Sequence, residues 1–133
     1  VIVRKRPQMD TDNLLECYVN LRREMEGYMK YLEAWNKKVA IWGASHQGFT
    51  LAATTKLGEK ARYIIDSAPF KHGKFAPSSH LPIVPPDYFM DNPVDAIVIT
   101  APGYTDEIAA SIRDKFGKNV EIRAMRSNHL ELV

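Results

Sequence analysis

Six residues directly after a short apolar run have the types and spacing of a loop that binds phosphate. The run Val39–Trp42 is followed by Gly43-Ala44-Ser45-His46-Gln47-Gly48, and Thr50 lies two residues further. In the pattern G-x-G-x-x-G, the first glycine permits a tight turn and the third lets helix and strand approach closely. Ser45 takes the second place, where bare backbone faces a pyrophosphate, so it disfavours a dinucleotide. The helix N-terminus still predicts an anion site, and glycines needed only for packing are the alternative.

Polar side chains after the next apolar run could complete such a site. Asp66 lies 23 residues after Gly43, where an acid commonly accepts hydrogen bonds from ribose hydroxyls. A cap for the following segment is an equally good interpretation. Lys71 and His80, in the long loop that follows, predict a cationic lid over a phosphate or sugar, against the alternative of an ordinary exposed loop. The same loop contributes two more basic side chains, His72 and Lys74.

Tyr104 closes the segment Ala101-Pro102-Gly103-Tyr104, which follows the third apolar run and forms the other lip of the predicted crevice. Asp106 and Glu107 come next, in the first turn of a predicted helix. Negative charge is favourable there because it faces the positive end of the helix dipole. Capping is therefore the favoured role of these two acids.

The sequence argues against two other chemistries. The nucleophile pattern G-x-S-x-G would need a glycine where Gln47 stands, and a serine beside a histidine in sequence does not present a base to its own hydroxyl. The four histidines lack the spacing of zinc ligands, and the single cysteine, Cys17, lies on a distant predicted helix. We therefore expect neither a catalytic triad nor a bound metal.

The elements that must position these residues alternate between strand and helix. Apolar runs without polar alternation predict strands at 39–42, 62–66, 95–100 and 120–125, and helical patterns lie at 47–57 and 105–116. Residues 68–86 have no clear period, and one helical turn is predicted near residues 87–90. Right-handed crossovers then predict a Rossmann-like α/β fold, with a mainly parallel four-stranded sheet in the order 2-1-3-4. Winding reverses between strands 1 and 3, so residues 43–50, Asp66 onward and 101–105 should converge on one crevice.

The first 37 residues predict a long N-terminal helix, which the family resemblance described below implies is a linker helix, ahead of the Rossmann-like domain at 38–133. Asn13 followed by Glu16 resembles a capping box. Apolar residues then recur at intervals of three and four, which places them on one helix face. Packing against a sheet or neighbouring domain is favoured over a coiled coil. The residues of this face are Leu14, Tyr18, Leu21, Met25, Tyr28, Leu32 and Trp35.

Composition excludes several classes of protein. The 133 residues carry a net charge of +2, and acids and bases are mixed along the chain, so no nucleic-acid partner is expected. The short basic run Arg4-Lys5-Arg6 is interpreted as a solvated end. Apolar stretches are only a few residues long, which argues against a membrane span. One cysteine is typical of a reducing compartment, so we expect a cytoplasmic protein.

The ordered set of motifs resembles the C-terminal domain of the sugar C-methyltransferase family over about residues 38–115. This family uses S-adenosylmethionine to methylate nucleotide-linked deoxy sugars. The family commonly has lysine in the place of Gln47, so the change removes a cation from the phosphate end. The matching residues are Gly43-Ala44-Ser45, Gly48, Thr50, Asp66, Pro69, Lys71, Gly73, Pro77, His80-Leu81-Pro82-Ile83-Val84 and Asp106-Glu107-Ile108.

The resemblance implies a domain that helps to hold a nucleotide-sugar and binds no cofactor itself. S-adenosylmethionine and the catalytic base would belong to a central domain of the parent enzyme, which would be this domain's partner and would follow a zinc-binding segment. Substrate-binding residues implied on this basis are Gly43, Ala44, Ser45, Gly48, Thr50, Asp66, Lys71, His80 and Tyr104.

Two other functions stay open from the sequence. One is an NAD(P)-binding domain of an oxidoreductase or sensor, which Ser45 disfavours. The other is a structural module that binds no ligand and uses the long helix to dock a partner or to form a homodimer.

Overall fold

A computed structural model describes residues 9–101, 103–125 and 130–133; within these ranges the side chains of residues 9–18, Gln47 and Glu131 are not described. The elements alternate between helix and strand along most of the chain, as the sequence predicts. They are α1 (Met9–Ala34), β1 (Val39–Trp42), α2 (His46–Thr54), α3 (Leu57–Lys60), β2 (Ala61–Ile65), a 3₁₀ turn (Pro69–Lys71), β3 (Ile83–Val84), α4 (Tyr88–Asp91), β4 (Ala96–Ile99), α5 (Thr105–Phe116), β5 (Glu121–Met125) and β6 (Leu130–Leu132).

The described strands form one sheet in the order β3-β2-β1-β4-β5-β6, parallel except for the pair β5–β6. The predicted order 2-1-3-4 is confirmed as β2-β1-β4-β5, and the fold is Rossmann-like. The sheet has one more strand at each edge than predicted. β3 is two residues long between prolines, and β6 is three residues long, so neither gives a measurable period. Residues 68–86, predicted without regular structure, thus contain β3 and the 3₁₀ turn.

Two helix predictions need correction, and α5 matches its predicted bounds. The predicted helix at 47–57 is divided into α2 and α3, because the chain at Thr55 is extended. Gly58 then packs so closely on α2 that a Cβ there would lie 2.1 Å from the Ala52 carbonyl oxygen. Asn13 is not the N-cap of α1, because α1 begins at Met9.

The C-terminal half of α1 packs on the sheet. Its buried residues Met25, Tyr28, Met29 and Leu32 share a core cluster with strand residues. The Tyr28 hydroxyl donates a hydrogen bond to Glu121 Oε2 on β5, 2.8 Å away. Burial, followed by this carboxylate, raises the pKa of Tyr28 far above its ordinary value. The apolar face of α1 is thus buried against the sheet from Met25 to Leu32.

Trp35 was wrongly assigned to that apolar face. It lies beyond the end of α1, and 69% of its surface is exposed. The side chains of Leu14, Tyr18 and Cys17 lie outside the described residues, as do Pro102, His129 and the run Arg4-Lys5-Arg6.

A second buried tyrosine predicts a loss of stability at high pH. The Tyr63 hydroxyl donates a 2.6 Å hydrogen bond to the Asn92 carbonyl, and burial, then Tyr88, raises the pKa of Tyr63 to about 12. The unfolded chain loses this proton near pH 10, so the stabilisation is complete below pH 10 and declines between pH 10 and 12. We expect a loss on the order of 2–3 kcal/mol, measured by urea unfolding from pH 8 to 12.

Tyr63→Phe provides the comparison for this pH series. Its unfolding free energy should fall less steeply than that of the parent above pH 10, and the two curves should be parallel between pH 8 and 9. Equal slopes above pH 10 would contradict a role for the Tyr63 hydroxyl.

No described helix combines the length and apolar character that a bilayer span requires. In the described ranges, no three His, Cys, Asp or Glu side chains come together as a metal site would need.

Candidate functional site

A cavity of about 410 Å³ opens at the carboxyl ends of the parallel strands. It lies where the loops after β1, β2 and β4 meet one face of α5, from its first turn to its last. Members of all three segments predicted to converge therefore face one space, at the point where the winding of the sheet reverses. The lining residues are Trp42, Gly43, Asp66, Ser67, Pro86, Ala101, Tyr104, Glu107, Ile108, Ser111 and Lys115.

Three of the nine residues predicted to bind substrate line this cavity: Gly43, Asp66 and Tyr104. Ala44 is buried beside it. Ser45 is exposed at the N-cap of α2, where its side chain makes no capping hydrogen bond. The others do not line the cavity; these are Gly48, Thr50, Lys71 and His80.

The turn after β1, residues 43–48, is called the first turn below. Both of its glycines are required by close contacts within the protein. Gly43 has a φ of +129°, and a Cβ there would lie 2.6 Å from Thr100 Oγ1. A Cβ on Gly48 would lie 2.2 Å from the Gly43 carbonyl oxygen. The Thr100 hydroxyl hydrogen-bonds to the same Gly43 oxygen at 3.2 Å. Packing alone therefore explains the two glycines, without a phosphate.

Asp66 and Lys71 hold the first turn by binding the two backbone polar groups of one residue, Ala44. Asp66 Oδ2 accepts the Ala44 N–H at 2.9 Å, and Lys71 Nζ donates to the Ala44 carbonyl at 2.8 Å. The Lys71 ammonium lies 3.5 Å from the Asp66 carboxylate, and Asp66 Oδ1 accepts the Ala68 N–H at 2.8 Å. We call Asp66, Lys71 and Ala44 the turn latch. The Asp66 carboxylate thus accepts two backbone N–H groups and pairs with the Lys71 ammonium.

The predicted cationic lid is not present over the cavity. Lys71 is folded into the turn latch, and the His72 ring hydrogen-bonds to the Asp66 carbonyl oxygen. Lys74 and His80 are exposed, and none of these four side chains lines the cavity. The loop closes on its own backbone, because Phe75 and Pro82 form a bridge that turns it back toward β3.

The sequence interpretation missed a polar face of α5. Glu107, Ser111 and Lys115 recur every fourth residue and line one side of the cavity, whereas Glu107 was interpreted as a cap. This spacing was a usable signal, since residues four apart share a helix face. Tyr104, at the N-cap of α5, is 63% exposed at the rim of the cavity.

The cavity combines an apolar floor with acceptors and one cation. Trp42, Pro86 and Ile108 provide apolar surface, and Phe116 supports the Trp42 ring at a centroid distance of 6.2 Å. Tyr104 offers an aromatic face on which a planar or sugar ring can stack. The carboxylates of Asp66 and Glu107 can accept hydrogen bonds from ligand hydroxyls. Lys115 offers positive charge to an anionic group of the ligand.

Comparisons with known proteins give one family and one fold. The sequence model of the family described as C-methyltransferase C-terminal domain matches residues 13–122. The fold resembles the crystal structure of UDP-D-quinovosamine 4-dehydrogenase from Vibrio fischeri, with a TM-score of 0.56 and 19% sequence identity, over 73% of this chain and 93% of that chain. A search of curated proteins gave no significant match.

Proposed function

Because the chain belongs to the C-methyltransferase C-terminal domain family, we propose that it binds the nucleotide-linked sugar on which a methyltransferase acts. The observation that carries this proposal is the cavity at the carboxyl ends of the strands, where ligands of open α/β sheets bind. A methyl acceptor of this kind has a flat base, hydroxyl groups and a diphosphate. The cavity has an aromatic rim, two carboxylates and a lysine in reach of one space.

The proposed roles follow from the chemistry of each side chain. Tyr104 stacks against the base or the sugar ring, and Glu107 and Asp66 accept hydrogen bonds from hydroxyl groups. Lys115 neutralises part of the diphosphate charge, and Ser111 donates to one of its oxygens. Of the other residues predicted from sequence, Ala44 and Lys71 act through the turn latch. Ser45, exposed at the N-cap of α2, offers a hydroxyl donor near the first turn.

The methyl donor is assigned to another part of the parent enzyme. S-adenosylmethionine supplies the methyl group there, on a central domain that this domain contacts. The described first turn does not suit that cofactor, since the Ala44 N–H is already bound to Asp66. We therefore propose that the domain holds and orients substrate, in the cytoplasm, and that methyl transfer occurs upstream.

Binding of a nucleotide-sugar can be measured by isothermal titration calorimetry with UDP-glucose and dTDP-glucose as probes. We expect submillimolar to millimolar dissociation constants, and roughly tenfold weaker binding after Tyr104→Ala or Lys115→Gln, because each change removes about 1–1.5 kcal/mol of interaction. Lys118→Gln is the matched control, since this lysine lies beyond α5 and does not line the cavity.

Two results would contradict the proposal. One is the absence of heat with both probes at millimolar concentration, together with no change in the amide spectrum at residues 43–45. The other is tighter binding of NADH than of either nucleotide-sugar, which would favour a dinucleotide domain. A module that binds no ligand but forms a dimer would be recognised by sedimentation.

A further inference from the structure

A second cavity lies at the opposite end of the sheet and is strongly basic. It has a volume of about 210 Å³ and is lined by residues at the amino ends of β1 and β2 and at the end of α1. Four of its lining side chains are cations and one is a carboxylate. These are Lys37, Lys38, Lys60, Arg62 and Glu33, and we call this set the basic cavity.

Internal contacts use only part of this positive charge. Lys60 pairs with Glu33, and the Lys60 ammonium lowers the pKa of Glu33, so this acid stays ionised. Lys37 Nζ donates to the Tyr31 hydroxyl at 2.8 Å, which raises the pKa of Lys37. Asp95 is bound to the backbone N–H of Lys38 at 2.8 Å. Within the described chain, the side chains of Lys38 and Arg62 make no ion pair or hydrogen bond.

Contacts within the protein account for Lys37 and Lys60, but not for Arg62. Lys37 is bound to the Tyr31 hydroxyl and Lys60 to the Glu33 carboxylate. Arg62 is on β2, and it is the exposed residue of a strand whose other members are buried.

The backbone of β2 is irregular at Arg62. Val39 is opposite Ala61, but Ile41 is opposite Ile64, so β2 carries one extra residue at this point. Such bulges are rare between parallel strands, and they redirect a side chain, often beside a functional site. Lys38 and Arg62 also line an adjoining cavity of about 360 Å³ that contains Tyr63, Tyr88 and Asp91. The two unpaired cations therefore line both cavities.

We propose that the basic cavity binds a phosphate group of a small anion, with Arg62 and Lys38 as its main ligands. Arginine suits this role because its planar guanidinium can donate two parallel hydrogen bonds to phosphate. The site is separate from the nucleotide-sugar cavity, which lies at the other ends of the same strands, and it does not depend on the proposed function.

Pyrophosphate is the probe for this site. Titration followed by amide chemical shifts should move the signals of residues 38, 39 and 62 at low ionic strength, and Arg62→Gln or Lys38→Gln should weaken binding by about tenfold. The variants should melt like the parent, because the Arg62 side chain is exposed. Lys115→Gln is the matched control: it removes the cation of the other cavity and should change the affinity less than twofold.

The results separate the sources of the phosphate and can overturn the proposal. If uridine diphosphate shifts the same amides with a lower dissociation constant than pyrophosphate, the ligand is a nucleotide. If the two dissociation constants are equal, the diphosphate alone is recognised. Both results support the site. No shifts at residues 38, 39 and 62 would overturn it. So would binding that is lost in Lys115→Gln and kept in Arg62→Gln.

Discussion

Gly48→Ala is expected to cost the domain about 3 kcal/mol, a large part of the stability of a protein this size. The added Cβ would lie 2.2 Å from the Gly43 carbonyl oxygen and 2.8 Å from Thr100 Oγ1. The first of these atoms is backbone, so α2 and β1 must separate to make room. Alanine is favoured over glycine in a helix by only about 1 kcal/mol, so the steric cost decides the sign.

The experiment is a thermal and urea unfolding series with Gly27→Ala as the matched control. Gly27 is an exposed position inside α1 with no atom within 4 Å of an added Cβ, so its alanine variant should be about 0.5–1 kcal/mol more stable. Gly48→Ala should instead lower the melting temperature by roughly 10 °C. A melting temperature within about 2 °C of the parent would mean that α2 does not contact the Gly43 carbonyl this closely.

This contact also explains why the first turn could be predicted from sequence. Gly43 must have a positive φ, and Gly48 must leave room for a carbonyl oxygen. Both requirements can be recognised in the sequence, because residues other than glycine are strained at these positions. The strands β1, β2, β4 and β5 could be predicted just as directly from their apolar runs, since strands covered on both faces cannot tolerate polar alternation. Their order followed from the handedness of crossovers, and the position of the cavity followed from that order.

The side chains of the cavity were harder to predict. Glu107, Ser111 and Lys115 form a polar face on α5 that has the same sequence pattern as a solvated helix face. This face becomes the wall of a cavity because Pro86 and the segments after β1 and β2 lie opposite it. Lys71 shows the opposite difficulty. Its charge suggested a ligand contact, but it is bound to the Ala44 carbonyl, 27 residues earlier in the chain.

Asp66→Ala should have the second largest effect, because it removes the acid of the turn latch. The side chain is only 15% exposed, and its loss leaves the N–H of Ala44, a residue that is 1% exposed, without an acceptor. Removing a charged acceptor from buried donors costs about 2–3 kcal/mol. Asp66→Asn keeps one carbonyl acceptor, so its loss should be smaller. Urea unfolding gives the free energies, and hydrogen exchange at the Ala44 amide should speed up in Asp66→Ala.

A double-mutant cycle with Lys71→Met separates the ion pair from the backbone hydrogen bonds. Both side chains are partly exposed, so the coupling between them should be about 1 kcal/mol or less, and most of the Asp66→Ala loss should persist when Lys71 is already methionine. A coupling as large as the whole loss would mean that Asp66 serves mainly to hold Lys71. An Ala44 amide that stays protected in Asp66→Ala would show that the first turn keeps its shape without the carboxylate. Asp66 would then act mainly as a lining residue of the cavity at the carboxyl ends of the strands, where we propose that substrate binds.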